Sequence, residues 1–167
     1  MAEGFLRAEG RERDLRVAVR STGTHAWHGR AATIEGRRVM NELGTSIDDH
    51  RTREFDRELV DWADLIIALA FEHEREVVRD HPDAAAKTFT LKGFLHVLDE
   101  LPVFTDASSW VAAASAAREA TEPPTDTDVD DPFGERQTAY QRVATEIQGL
   151  VAHLAEGMQT KRVIQTT

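Results

Sequence analysis

Leu65-Ile66-Ile67-Ala68-Leu69-Ala70 is an unbroken apolar run of strand length. A strand that is apolar on both faces has to be covered on both, which places it inside a parallel sheet with helices on either side. A sheet with one wet face would alternate polar and apolar residues instead. That alternation is found elsewhere: Leu15, Val17 and Val19 are interleaved with Arg16, Ala18 and Arg20, which predicts a half-buried strand near a sheet edge. Phe89 marks a third short apolar piece. Strands separated by helical segments give an α/β layered domain with a small parallel sheet. The sheet reads as one strand short, because a doubly covered strand needs a neighbour on each side and only two or three strands can be counted.

The helical segments follow from apolar spacing. Met1-Ala2-Glu3-Gly4-Phe5-Leu6-Arg7 reads as a helix already under way, with no Ser, Thr, Asp or Asn ahead of it to cap its free amides. Ile34, Val39, Met40 and Leu43 line one face of a helix that Gly44 can close. Phe55, Leu59 and Trp62 predict a helix from Glu54 to Trp62, and Glu72 to Asp80 another, stopped by Pro82. Leu91 to Leu98 and the alanine-rich Ser108 to Ala120 are helical. Thr121 to Asp131, polar and carrying Pro123-Pro124, is a loop. Tyr140, Val143, Ile147, Leu150, Val151 and Leu154 form the clearest helical stripe. One domain over residues 1–156 is expected, with residues 157–167 a polar, disordered tail.

Composition narrows the function. A formal net charge of -10 over 167 residues argues against nucleic-acid or anionic-membrane partners, which need a basic face. The sequence has neither an apolar run of membrane length nor a basic stretch followed by an apolar one, so a cytoplasmic, bacterial-type protein is expected. Cysteine is absent, which removes disulfides, thiolate zinc sites and cysteine nucleophiles from these residues. His25 and His28, and Glu72-His73-Glu74, match no metal-ligand spacing, so neither a metal nor a cofactor is expected. His50 reads as a structural hydrogen-bonding residue. Arg51, Arg53, Arg75 and Arg79 alternate with Glu54, Glu72, Glu74 and Glu76 as mixed-charge faces. Gly4, Gly10 and Gly23 are too scattered for a nucleotide loop, and Trp62 and Trp110 are packing residues.

Asp130-Asp131-Pro132-Phe133-Gly134 is the sharpest local signal. Proline fixes its own φ and biases Asp131 toward an extended backbone, so the carboxyl is presented on a stiff loop beside an aromatic ring. A carboxyl held that way suits a general acid, although Asp-Pro also opens ordinary turns.

The order of motifs along the chain adds to this. Ala2-Glu3-Gly4-Phe5-Leu6, Ser21-Thr22-Gly23-Thr24-His25-Ala26-Trp27-His28-Gly29, Glu42-Leu43-Gly44, Asp49-His50-Arg51-Thr52-Arg53, Ala63-Asp64-Leu65-Ile66-Ile67-Ala68-Leu69, Phe89-Thr90-Leu91-Lys92 and Asp131-Pro132-Phe133-Gly134 succeed one another. This series resembles the low-molecular-weight protein tyrosine phosphatase family from Met1 to about Leu154. The resemblance implies a four-stranded parallel sheet flanked by helices, with Asp131 the general acid and Phe133 a wall of the substrate cleft. It also implies Ser21 as a support of the phosphate loop, Trp27 as a second aromatic wall, and no metal.

The family's apolar first strand and its Cys-x5-Arg-Ser/Thr phosphate loop have no counterpart in these residues. In the family they would precede the Met1-Ala2-Glu3 segment, and a start assigned too late is the expectation. That loop supplies the thiolate nucleophile and the amide cradle for a phosphate dianion. A general acid alone is worth roughly 10²–10⁴ in rate, whereas phosphomonoester hydrolysis can require up to about 10²¹. The chain as written is therefore expected to be inactive. Its substrate in an intact form would be a phosphorylated protein or small phosphomonoester, with phosphotyrosine and phosphoarginine both open. The alternative is a non-catalytic phosphatase-like interaction module, with self-association through an exposed sheet edge.

Overall fold

The computed structural model describes residues 1–23 and 28–161. Seven helices are found among them: α1 (Ala2–Glu12), α2 (Ile34–Glu42), α3 (Arg57–Trp62), α4 (Phe71–Asp80), α5 (Leu91–Leu98), α6 (Ala107–Ala120) and α7 (Gln137–Thr160). Two strands, β1 (Ile66–Ala68) and β2 (Thr88–Thr90), pair in parallel, with Ile66 beside Thr88, Ile67 beside Phe89 and Ala68 beside Thr90. Parallel pairing demands a crossover. Here α4 and a 3₁₀ turn at Pro82–Lys87 supply it. The chain divides into two compact units, Met1–Phe55 with Val129–Ala155, and Asp56–Asp128 with Glu156–Thr167.

The second unit holds the sheet, with α4 and α5 packed on both strands and α6 on α5. Thr90 ends β2 and at once caps α5, its hydroxyl accepting the Gly93 N–H at 3.0 Å. Asp56 and Asp106 cap α3 and α6 in the same way. The core is an aromatic chain. Phe89 meets Phe94 edge-on at 5.2 Å, Phe94 meets Trp110 at 5.1 Å, and Phe104 stacks on Trp110 at 4.6 Å. The Arg118 guanidinium lies 4.2 Å from the Phe89 ring centroid and donates to the carbonyls of Thr88 and Ala85.

The first unit is built on α1, α2 and α7 up to Ala155. Val39, Tyr140 and Ala144 form a buried cluster with Met1 and Leu43 against it. Of the expected face Ile34-Val39-Met40-Leu43, Val39 and Met40 are buried and Leu43 is half-buried, but Ile34 is 71% exposed at the first turn of α2, so the apolar spacing holds only from Val39 onward. Gly44, at φ +76°, turns the chain out of that helix, and Thr45 donates back to the Met40 carbonyl at 2.9 Å.

Four other expectations are corrected. Leu15, Val17 and Val19 are half-buried and alternate with exposed Arg16, Ala18 and Arg20, yet the segment forms no ladder among the described residues. Alternation reports which side of a chain faces inward and says nothing of a hydrogen-bonding neighbour. The helix expected from Glu54 starts at Arg57, because Asp56, extended at φ -143°, takes the capping role by accepting the Leu59 N–H. Ile66 and Ile67 stay half-buried and only Ala68 is buried, since β1 has one ladder partner among the described residues. The tail does not begin at 157, because α7 continues to Thr160. Gly157 packs on Leu98, and Lys161 accepts the Phe104 N–H at 2.7 Å. Residues 162–167 lie outside the described residues.

Candidate functional site

Burial alternates sharply along the Asp131 turn. Val129 and Pro132 are buried, while Asp130, Asp131 and Phe133 are exposed, Phe133 at 75%. Two apolar residues therefore fix the backbone and the carboxyl and ring point outward. One Asp131 carboxylate oxygen accepts the Phe133 N–H at 2.9 Å, closing an Asx turn across the fixed φ of Pro132. The Pro132 carbonyl accepts the Glu135 N–H at 2.9 Å, and Gly134 takes φ +80°, so the chain reverses into α7. Asp130 pairs with Arg142 at 2.8 Å, both largely exposed, which adds little beyond orientation. Asp131 and Phe133 thus stand on one turn.

Ser21 sits on a different segment of the same unit. Its N–H donates to a Glu3 carboxylate oxygen at 3.1 Å, and its hydroxyl donates to the same oxygen. Arg7 donates to the other oxygen at 2.8 Å and to the Val19 carbonyl at 2.7 Å. Burial pushes the Glu3 carboxyl up. The hydrogen bond from Ser21 and the charge of Arg7 outweigh it, so Glu3 is held below the usual carboxylate range. His50 places Nδ1 3.6 Å from the Glu3 oxygen that Ser21 uses. Burial holds the His50 ring below its ordinary value although Glu3 opposes this, so His50 faces Glu3 as a neutral ring at neutral pH. His50 is a structural neighbour, and the partners of Ser21 are Glu3 and, through it, His50.

Trp27 and His25 lie outside the described residues. The chain on either side of them is tied to the Asp49–Arg53 motif. Gly23 N–H donates to the Arg53 carbonyl at 3.1 Å, Gly29 N–H to the Thr52 carbonyl at 2.8 Å, and Thr52 N–H to the Arg30 carbonyl at 2.8 Å. Sequence reasoning missed Glu3. It stood in the quoted Ala2-Glu3-Gly4 piece, but its spacing from Ser21 carries no local signal. It also missed the bond from Lys92 to the Asp128 carbonyl in the second unit. Among the described residues no group of three or more His, Cys, Asp or Glu could hold a metal ion. No helix of the described residues is long and apolar enough to cross a membrane.

Comparison with known proteins gives the family of the chain. A family model described as low molecular weight phosphotyrosine protein phosphatase matches residues 1–103. A protein-arginine-phosphatase of Geobacillus stearothermophilus is 30% identical over 146 residues, 87% of this chain and 80% of that protein. A probable low molecular weight protein-tyrosine-phosphatase of Ralstonia solanacearum is 33% identical over 75 residues, 45% of this chain and 52% of its own length. Among solved structures, the YwlE arginine phosphatase of G. stearothermophilus superposes with a TM-score of 0.74 at 28% identity, covering 96% of this chain and 84% of that one. A low molecular weight protein tyrosine phosphatase of T. tengcongensis gives 0.73 at 29%, covering 93% and 87%. The chain belongs to the low molecular weight phosphotyrosine protein phosphatase family.

Proposed function

We propose that this fold serves phosphoryl transfer from a phosphorylated protein side chain to water, with Asp131 as the proton donor to the leaving atom and Phe133 as a wall of the substrate cleft. The observation that carries the reading is the Asp131 turn, where buried Val129 and Pro132 anchor a backbone that presents an exposed carboxyl and, two residues on, an exposed ring. Ser21, braced by Glu3, supports the phosphate-binding segment, and Trp27 is proposed as the second wall. Phosphoarginine is the first candidate substrate, because the relative that spans most of this chain is a protein-arginine-phosphatase. Phosphotyrosine is the second, from the relative that spans less of it.

The 167 residues contain no cysteine, so they hold a proton donor without a thiolate to accept the phosphoryl group. Alone, this polypeptide is proposed to be catalytically incompetent. The cysteine-free composition also favours a second reading, a non-catalytic interaction module that associates through a sheet edge or binds a partner. One experiment separates the two. The chain is assayed for phosphate release from phosphoarginine and phosphotyrosine peptides, alone and mixed with a synthetic peptide carrying an apolar strand and a Cys-x5-Arg-Ser loop. No release alone, release in the mixture, and a roughly 10²–10⁴-fold loss with Asp131→Asn are expected. Release that ignores Asp131→Asn removes the proton-donor reading, and a mixture as silent as the chain alone favours the interaction module.

A further inference from the structure

The charge of this chain is divided unevenly. The first unit carries 13 acidic and 12 basic side chains, whereas the second carries 17 acidic against 8 basic. Half of those eight, Lys87, Lys92, Arg118 and Lys161, donate to main-chain carbonyls. The surplus of carboxylates in the second unit is thus left for water or for a cationic partner.

The same unit contains a cavity of about 110 Å³ bordered by α4, β2, α5, Arg118 and the loop 121–127. Phe71, Phe89, Val97, Pro123 and Pro124 give it apolar walls. Phe71 is 50% exposed, so that wall reaches solvent. An apolar cavity of roughly 150 Å³ holds a benzene, whereas drug-sized ligands need roughly 300–1,000 Å³. The space therefore fits one side chain of a partner.

A half-buried carboxylate stands at this apolar space. Glu74, its side chain 18% exposed, accepts the Thr90 N–H at 2.9 Å, and its other oxygen lies 3.5 Å from Arg118. Arg118 is kept from closing that distance, because the Thr88 and Ala85 carbonyls hold its guanidinium at 2.7 and 3.0 Å beside the Phe89 ring. The Glu74 charge is thus undercompensated, and burial holds its carboxyl above the usual value although Arg118 opposes this. A second acidic residue, Glu122, lines the same cavity. A cation on a flexible apolar stem matches both features, with its methylenes on the rings and prolines and its head toward the carboxylates. A compact ammonium suits so small a space better than a planar guanidinium.

We propose that this cavity is a docking site for a basic segment of a partner protein, which inserts one lysine side chain into it. The proposal is independent of the Asp131 reading. Its test titrates the full chain with an acetylated, amidated octapeptide of alternating lysine and alanine, followed by the amide resonances of an isotope-labelled sample. Shifts are expected at Thr90, Gly93 and Val97, which line the cavity, and not at Val39 or Ala144 of the first unit. The same peptide with its lysines acetylated keeps the stems and lacks the charges, and is expected to bind about tenfold more weakly, the factor for one charge-assisted contact. Glu74→Gln should weaken the unmodified peptide by a similar factor. Phe71→Ala, at an exposed position, should do the same and keeps the test decisive if Glu74→Gln does not fold. Glu100→Gln removes an exposed carboxylate of the same unit outside the cavity and should leave the affinity close to that of the native chain. No shift at millimolar peptide, shifts spread over both units, equal binding of the acetylated peptide, or equal losses in Glu100→Gln and Glu74→Gln would each overturn the proposal.

Discussion

Removing the Glu3 carboxylate is expected to loosen the Ser21 segment by a measurable amount. The carboxylate accepts two hydrogen bonds from Ser21 and one from Arg7, with a side chain only 18% exposed. Hydrogen bonds to a charged group contribute about 1.5–3 kcal/mol each. Ser21 is half-buried and partly rehydrates on release, so the two together are worth about 2–4 kcal/mol. The Arg7 pair, with its guanidinium half in water, adds only about 0.3–0.5 kcal/mol. Glu3→Ala should therefore lower stability by about 3 kcal/mol, or roughly 6–12 °C in melting temperature for a chain of this length. Glu3→Gln keeps one acceptor oxygen and should lose about 1 kcal/mol.

The pH dependence fixes the cause. Glu3 titrates below its ordinary value of 4.5 in the folded protein, so its stabilisation is complete above that value and lost as the pH falls through the lower folded one. His50, also held below its ordinary value, is neutral in both proteins at neutral pH. The gap between the native chain and Glu3→Gln in urea denaturation followed by circular dichroism should therefore be full at neutral pH and narrow as the pH falls below 4.5. A gap as wide in acid as at neutrality, or a Glu3→Ala loss under about 1 kcal/mol, would refute the argument.

Three further outcomes follow from packing and charge. A Cβ on Gly157 would lie 2.6 to 2.9 Å from three side-chain atoms of Leu98, which is fully buried, so Gly157→Ala should cost about 1–3 kcal/mol by chemical denaturation. Gly149→Ala in the same helix, with nothing within 4 Å, should instead gain up to about 1 kcal/mol. Burial holds the Glu74 carboxyl above its usual value although Arg118 and the Thr90 N–H oppose it. Its contribution is thus present below 4.5 and lost as pH rises through the folded value, the reverse of Glu3. Glu74→Gln should flatten that decline in a stability-versus-pH series, and equal slopes would rule this out.

Helices were the legible part of this chain. A stripe such as Tyr140 to Leu154 encodes its own buried face, and Thr90, Asp56 and Asp106 are caps that act within three residues of themselves. The run Leu65–Ala70 announced a parallel sheet, but its length overstated a three-residue strand, because pairing depends on a neighbour that periodicity does not record. The same limit explains Leu15 to Val19, right in its exposure and without a ladder partner among the described residues. Of the site, the Asp131-Pro132-Phe133 turn was legible because proline and the Asx bond act locally. Glu3 with Ser21, and Lys92 with Asp128, were not, since each joins residues 18 or 36 positions apart through side chains whose types are common on any surface.

The sunken Val129 and Pro132 have a corollary for mutation. Because the backbone between them is anchored at both sides, the Asp131 carboxyl and the Phe133 backbone share one frame. The ring itself, three-quarters in water, contributes little to folding. A substitution at position 133 is thus expected to leave the turn folded, because the turn is closed by the backbone N–H and the Asp131 carboxylate.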